Sequence, residues 1–164
     1  MARGTHFPLL LAALLVGAAL SGCTAPVEGE GWVALGTGEW RFEPLTDGQP
    51  VPLIAGAQGG HHVWTSLRTT GLDPERVLLA IDTEPVDGSL PAEHSQVRVD
   101  LSENPEEGTY DFVGWPAILS QPGCVAGREL NVRVTLTDRH GVSATDECAV
   151  LPMTGTGVIL PPCE

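Results

Sequence analysis

The alternation Leu130-Asn131-Val132-Arg133-Val134-Thr135-Leu136-Thr137 constrains this chain more than any other stretch. Apolar residues at every second position put one greasy side on an extended strand, because successive side chains point to opposite faces. Asp138-Arg139-His140-Gly141 follows, and then a second β-like run from Val142 to Val150. Asp at the first turn position and Gly at the last suit a type I turn closed by a G1 bulge, since Gly takes φ > 0 at little cost. The pattern predicts a β-hairpin.

The rest of the chain follows the same logic. After Cys23 no apolar pattern at helical spacing lasts beyond two turns. Gly 20 and Pro 14 crowd out long helices. Strands are expected at Glu39 to Leu45, with Trp40 and Phe42 on one face, at Val51 to Ile54, and at His61 to Thr70. Further strands are expected at Arg76 to Thr83, Val97 to Leu101 and Thr109 to Gly114. Asp82 to Ser95 reads as the longest loop and Ser102 to Gly108 as an acidic turn. Trp115 to Ala126 reads as irregular, with a helical turn at Ala117 to Leu119. Seven or eight short strands at such intervals point to an all-β, antiparallel two-sheet sandwich ending in the hairpin; a closed barrel is the alternative. In strand count and final hairpin the chain looks immunoglobulin-like. No Cys lies on the early strands, and Tyr110 does not match a tyrosine corner.

The N-terminus carries an address. Phe7 to Leu20 is a 14-residue apolar run preceded by Arg3, too short for a membrane-spanning helix of roughly 20 residues and right for a signal-peptide core. Leu20-Ser21-Gly22-Cys23 resembles a bacterial lipobox. The resemblance implies that Cys23 takes a diacylglyceryl group on sulfur, that residues 1–22 are removed, and that the new amine is acylated. Thr24 rather than Asp after the Cys implies the outer membrane. Residues 23–38 then read as the lipidated Cys and a flexible tether, 39–151 as the sandwich, and 152–164 as a Pro/Gly-rich tail. Trp32, Val33 and Leu35 interrupt the tether with apolar character, which suits either an edge strand or a segment packed on the domain.

Charge bounds the partners. The net charge is −13, one unit more negative once Arg3 leaves with the signal. Such a surface repels nucleic acid and anionic lipid. The expected partners are the membrane, through the lipid on Cys23, and an envelope protein.

The most distinctive internal run is Gly56-Ala57-Gln58-Gly59-Gly60-His61-His62-Val63-Trp64-Thr65-Ser66-Leu67-Arg68. It is similar to a G-x-Q-G-G-x-H-V-W-x-S-L-R run in uncharacterised lipoproteins of Gram-negative bacteria, and a looser resemblance runs from about Phe42 to Val150. This implies a shared fold and a surface location; it carries no activity. Period two places His62, Trp64, Ser66 and Arg68 on one face of a strand, a candidate binding face rich in recognition residue types. The competing expectation is that a neighbouring segment covers this face and an acid pairs with Arg68.

Chemistry-bearing motifs are sparse. The histidines His61, His62, His94 and His140 make no H-x-H or H-E-x-x-H pattern. No G-x-S-x-G, Cys/His pair or nucleotide loop is present. The expectation is a non-enzymatic binding or structural protein without a cofactor. The alternatives are a copper or zinc module using His62 or His61, and a hydrolase using two carboxylates. Of four cysteines, three remain after Cys23. Inward parity of Cys148 predicts a Cys124–Cys148 disulfide, with Cys148–Cys163 next.

Overall fold

Leu130, Val132, Val134 and Leu136 all lie within 1% of complete burial, so the alternation is realised as a strand with one face in the core. The computed structural model describes residues 31–57, 59–156 and 158–163. The expected signal peptide, Cys23 and the tether up to residue 30 lie outside the described residues. Among the described residues ten strands form: β1 (Trp32–Thr37), β2 (Glu43–Pro44), β3 (Gln49–Ala55), β4 (His61–Thr70), β5 (Val77–Pro85), β6 (Glu93–Val99), β7 (Ser102–Asn104), β8 (Thr109–Leu119), β9 (Leu130–Thr137) and β10 (Ser143–Thr154). A single helical turn, α1 (Pro122–Val125), interrupts them.

The domain is all-β and arranged as a β-sandwich. One layer runs β2-β1-β4-β8-β7, and the other runs β3-β10-β9-β5-β6. Strand β3 joins them. Its first five residues pair in parallel with Val150–Thr154 of β10, and its last two, Ile54 and Ala55, pair antiparallel with His62 and His61 of β4. Between the layers Leu35, Val63 and Leu67 from one side meet Leu79, Ile81 and Val150 from the other, each at most 2% exposed. Burial of such side chains contributes about 1.5–3 kcal/mol apiece.

Strands β9 and β10 are antiparallel, with Ser143 opposite Thr137. In the turn Gly141 has φ +86°. The Asp138 carboxylate accepts the amide hydrogens of His140 at 2.8 Å, Val142 at 2.9 Å and Asp73 at 3.1 Å. One side chain thus closes its own turn and ties it to the turn after β4.

Several expectations need correction. The sheet begins at Trp32, inside the stretch read as tether, because Val33 and Leu35 alternate into the core. The strand expected over Glu39 to Leu45 shrinks to Glu43–Pro44, since Gly38 turns the chain at φ +106°. Strand β8 continues through Pro116 to Leu119, where a helical turn was expected; the turn forms at Pro122–Val125 instead. Pro116 is tolerated because β7 pairs only with Thr109–Asp111, leaving the later part of β8 at the layer's edge.

The Cys124–Cys148 bridge is also overturned. Cys124 pairs with Cys163, with Cα atoms 4.7 Å apart. The tail after Thr154 folds back over α1, where the Pro161 carbonyl lies so close to Gly123 that a Cβ there would come within 1.9 Å. Cys148 instead sits opposite Val132 within the strand pair, buried, with its thiol 3.5 Å from Asp47 Oδ1.

Candidate functional site

The Gly56–Gly60 bend, closed by the Gly56 amide donating to the Gly60 carbonyl at 2.7 Å, delivers the chain into β4. His62 pairs across to Ile118 and Trp64 to Pro116. The His62 ring meets the Trp64 ring edge-on, with centroids 4.4 Å apart and planes at 71°. Its Nε2 is buried and has no hydrogen-bond partner among the described residues. Burial pushes the imidazole below its ordinary range; the Glu39 carboxylate opposes this, and His61 adds to it. The ring is therefore neutral near pH 7, since desolvation disfavours the charged form.

Ser66 lies deeper. The register between β4 and β8 slips after Thr65, so that Val113 and Gly114 bulge opposite it. The Gly114 amide donates to Ser66 Oγ at 3.1 Å, and that hydroxyl donates to the Gly38 carbonyl at 2.8 Å. Ser66 is completely buried; it positions a loop and is closed to solvent.

Arg68 is committed to Asp111. Its Nε and Nη2 donate to the two carboxylate oxygens, each at 2.9 Å, a bidentate fork. Asn104 Nδ2 donates to the same carboxylate at 3.0 Å, and the Phe42 ring covers the guanidinium at 4.6 Å. Hydrogen bonding to Asp111 raises the Arg68 pKa further. For Asp111, burial works to raise the pKa, but the bonds from Arg68 and Asn104 outweigh it and hold the carboxyl below the usual range.

The four residues of the candidate face therefore separate. His62 and Trp64 form an aromatic pair; Ser66 and Arg68 anchor what lies over them. The covering segment is Gly38–Phe42, of which Glu39 to Phe42 falls within the strand expected over Glu39 to Leu45. A Cβ on Gly36 would come within 2.5 Å of the Phe42 ring, and one on Gly114 within 2.3 Å of the Glu39 carbonyl. Both glycines leave room for this loop, which local sequence spacing does not announce. With Phe42 turned inward, Trp40 stands outward, 85% exposed.

Elsewhere, His94 Nδ1 lies 2.7 Å from Asp82 and His140 Nε2 lies 3.1 Å from Asp73, both near the surface. Among the described residues no group of three or more His, Cys, Asp or Glu is placed to hold a metal ion. An open hollow of about 470 Å³ beside β5, β9 and β10 is lined by Asp47, Glu84, Glu147 and Cys148, among others. Comparison of the chain with protein-family models, with curated proteins and with solved structures finds no match.

Proposed function

We propose that this chain is a lipid-anchored protein of the bacterial cell envelope, held by acyl chains on Cys23, whose sandwich has a non-enzymatic binding or structural role. The observation that carries the reading is the Cys124–Cys163 disulfide. Structural disulfides persist in oxidising compartments, which agrees with export by the apolar run Phe7 to Leu20 and with the lipobox-like Leu20-Ser21-Gly22-Cys23. Two or more acyl chains give stable anchoring, whereas one holds weakly. Thr24 favours the outer membrane, and a protein of the envelope is the expected partner.

The finer fold we propose is immunoglobulin-like. Support comes from the order β1-β4-β8-β7 in one layer and β3-β10-β9-β5-β6 in the other, with β3 leaving one layer for the other and running parallel to β10. That order matches an A-B-E-D sheet against a G-F-C sheet.

Growth with labelled palmitate tests the anchor. Label is expected in the wild-type band and absent from Cys23→Ser, which should leave the membrane fraction. An unlabelled wild-type protein found free in the wash ends the reading.

A further inference from the structure

We propose that the outer face of the β1-β4-β8 layer lies against the bilayer, with Trp40 seated in its interfacial zone; this rests on the lipid anchor at Cys23. Single exposed apolar residues are ordinary, but Trp40 differs in how it is held. Its loop is fixed at Gly38 by Ser66 Oγ, at Glu39 by close approach to Gly114, and at Phe42 by the Gly36 and Arg68 contacts. A tryptophan 85% exposed on a loop this tightly fastened has its ordering cost met before any partner arrives.

The surroundings suit a lipid surface. On the same face of the layer, Trp64 and Pro116 are half-buried and Ile118 is 50% exposed. Charges there are largely paired: Arg41 with Glu43 at 2.8 Å, and Arg68 with Asp111 at 2.9 Å and Glu107 at 3.8 Å, while Glu39 beside Trp40 places its carboxylate near His62. With two arginines against four carboxylates, this face holds a small share of the chain's net charge of −13; that residue of negative charge still disfavours anionic headgroups, and the surface that fits it best is zwitterionic. Tryptophan prefers the headgroup level, where its ring is apolar and its N–H stays wet.

The tether selects the bilayer over other occupants. The chain enters the sandwich through β1, which belongs to this layer. Thr24 to Gly31 is the whole link between Cys23 and that strand, and it spans roughly 29 Å at most when fully extended. A link of so few residues gives an effective concentration on the order of mM, so a weak insertion by one indole is sufficient.

The test uses the full lipidated chain in phosphatidylcholine vesicles, some with brominated acyl chains, and takes the Trp40 signal as wild type minus Trp40→Phe. The expected result is flotation with the vesicles, with Trp40 emission quenched by bromolipid and shielded from aqueous iodide. A chain that floats while Trp40 stays open to iodide and untouched by bromolipid overturns the docking and leaves the anchor standing. Trp40 shielded from iodide yet unquenched by bromolipid means a protein contact, and also overturns it. A chain that does not float overturns the anchor and the docking together.

Discussion

The Asp146 carboxylate, on β10 of one layer, accepts the amide hydrogen of Leu35, on β1 of the other, at 2.7 Å. The residues are 111 positions apart and both are buried. Strand β1 lies beside β4, and on its other side β2 pairs only with Gly36 and Thr37; Asp146 supplies an acceptor to the stretch before them, where an open edge otherwise invites pairing with another chain. An acid in the interior thus acts as a rivet between layers. Asp146→Ala strands a buried donor, which costs about 1–3 kcal/mol. Urea unfolding should show a lower midpoint with an unchanged slope, and Asp146→Asn, which keeps an acceptor oxygen, should lose less. Equal losses for the two variants would remove the hydrogen bond as the cause.

Asp111 gathers Arg68 and Asn104 onto one carboxylate. Asp111→Ala is expected to lower stability by about 2 kcal/mol, as charge-assisted bonds contribute roughly 1.5–3. Because its folded pKa is depressed, its contribution is fully present above the unfolded value of about 3.9 and is lost as pH falls through the folded pKa. The difference between wild type and Asp111→Asn should therefore narrow in acid; a gap that is constant down to pH 2 would contradict this.

His62 behaves in the opposite chemical sense, with the same direction in pH. Its folded pKa is lowered chiefly by burial, so the unfolded chain binds more protons below about pH 6.5. Wild-type stability should be independent of this group above that pH and should fall on acidification below it. His62→Leu removes a buried nitrogen that has no partner among the described residues, so near neutrality it should raise stability by about 1 kcal/mol or less. Its advantage over wild type should grow at pH 5, measured by paired urea titrations.

Gly36→Ala tests the loop seat. The added methyl meets the Phe42 ring at 2.5 Å and the Glu43 carbonyl at 2.6 Å, an overpacking worth about 1–3 kcal/mol. Gly48→Ala, at φ +74° with nothing within 4 Å, serves as a control that carries only the left-handed backbone penalty. Melting temperatures should fall more for Gly36→Ala, and only that variant should alter Trp40 emission.

Peptide mapping without reductant should recover Cys124 joined to Cys163. Cys163→Ser opens a loop with a sequence separation of 39 and should cost about 2–4 kcal/mol. Recovery of Cys124 or Cys163 joined to any other cysteine would contradict the fold's account of the tail.

Local rules made the strands legible. Val132, Val134 and Leu136 announce their burial by period-two spacing, and Asp138 to Gly141 announces its turn, because both depend on neighbours within a few residues. The amino-acid sequence by itself therefore determined an all-β chain of short strands. Only the tertiary structure decided that Cys163 rather than Cys148 reaches Cys124, that Asp111 takes Arg68, that Asp146 meets Leu35, and that Trp40 turns outward while Phe42 turns in. Each of these joins residues brought together by layer packing and strand register, and a period of two says which face a side chain occupies but nothing about what arrives opposite it.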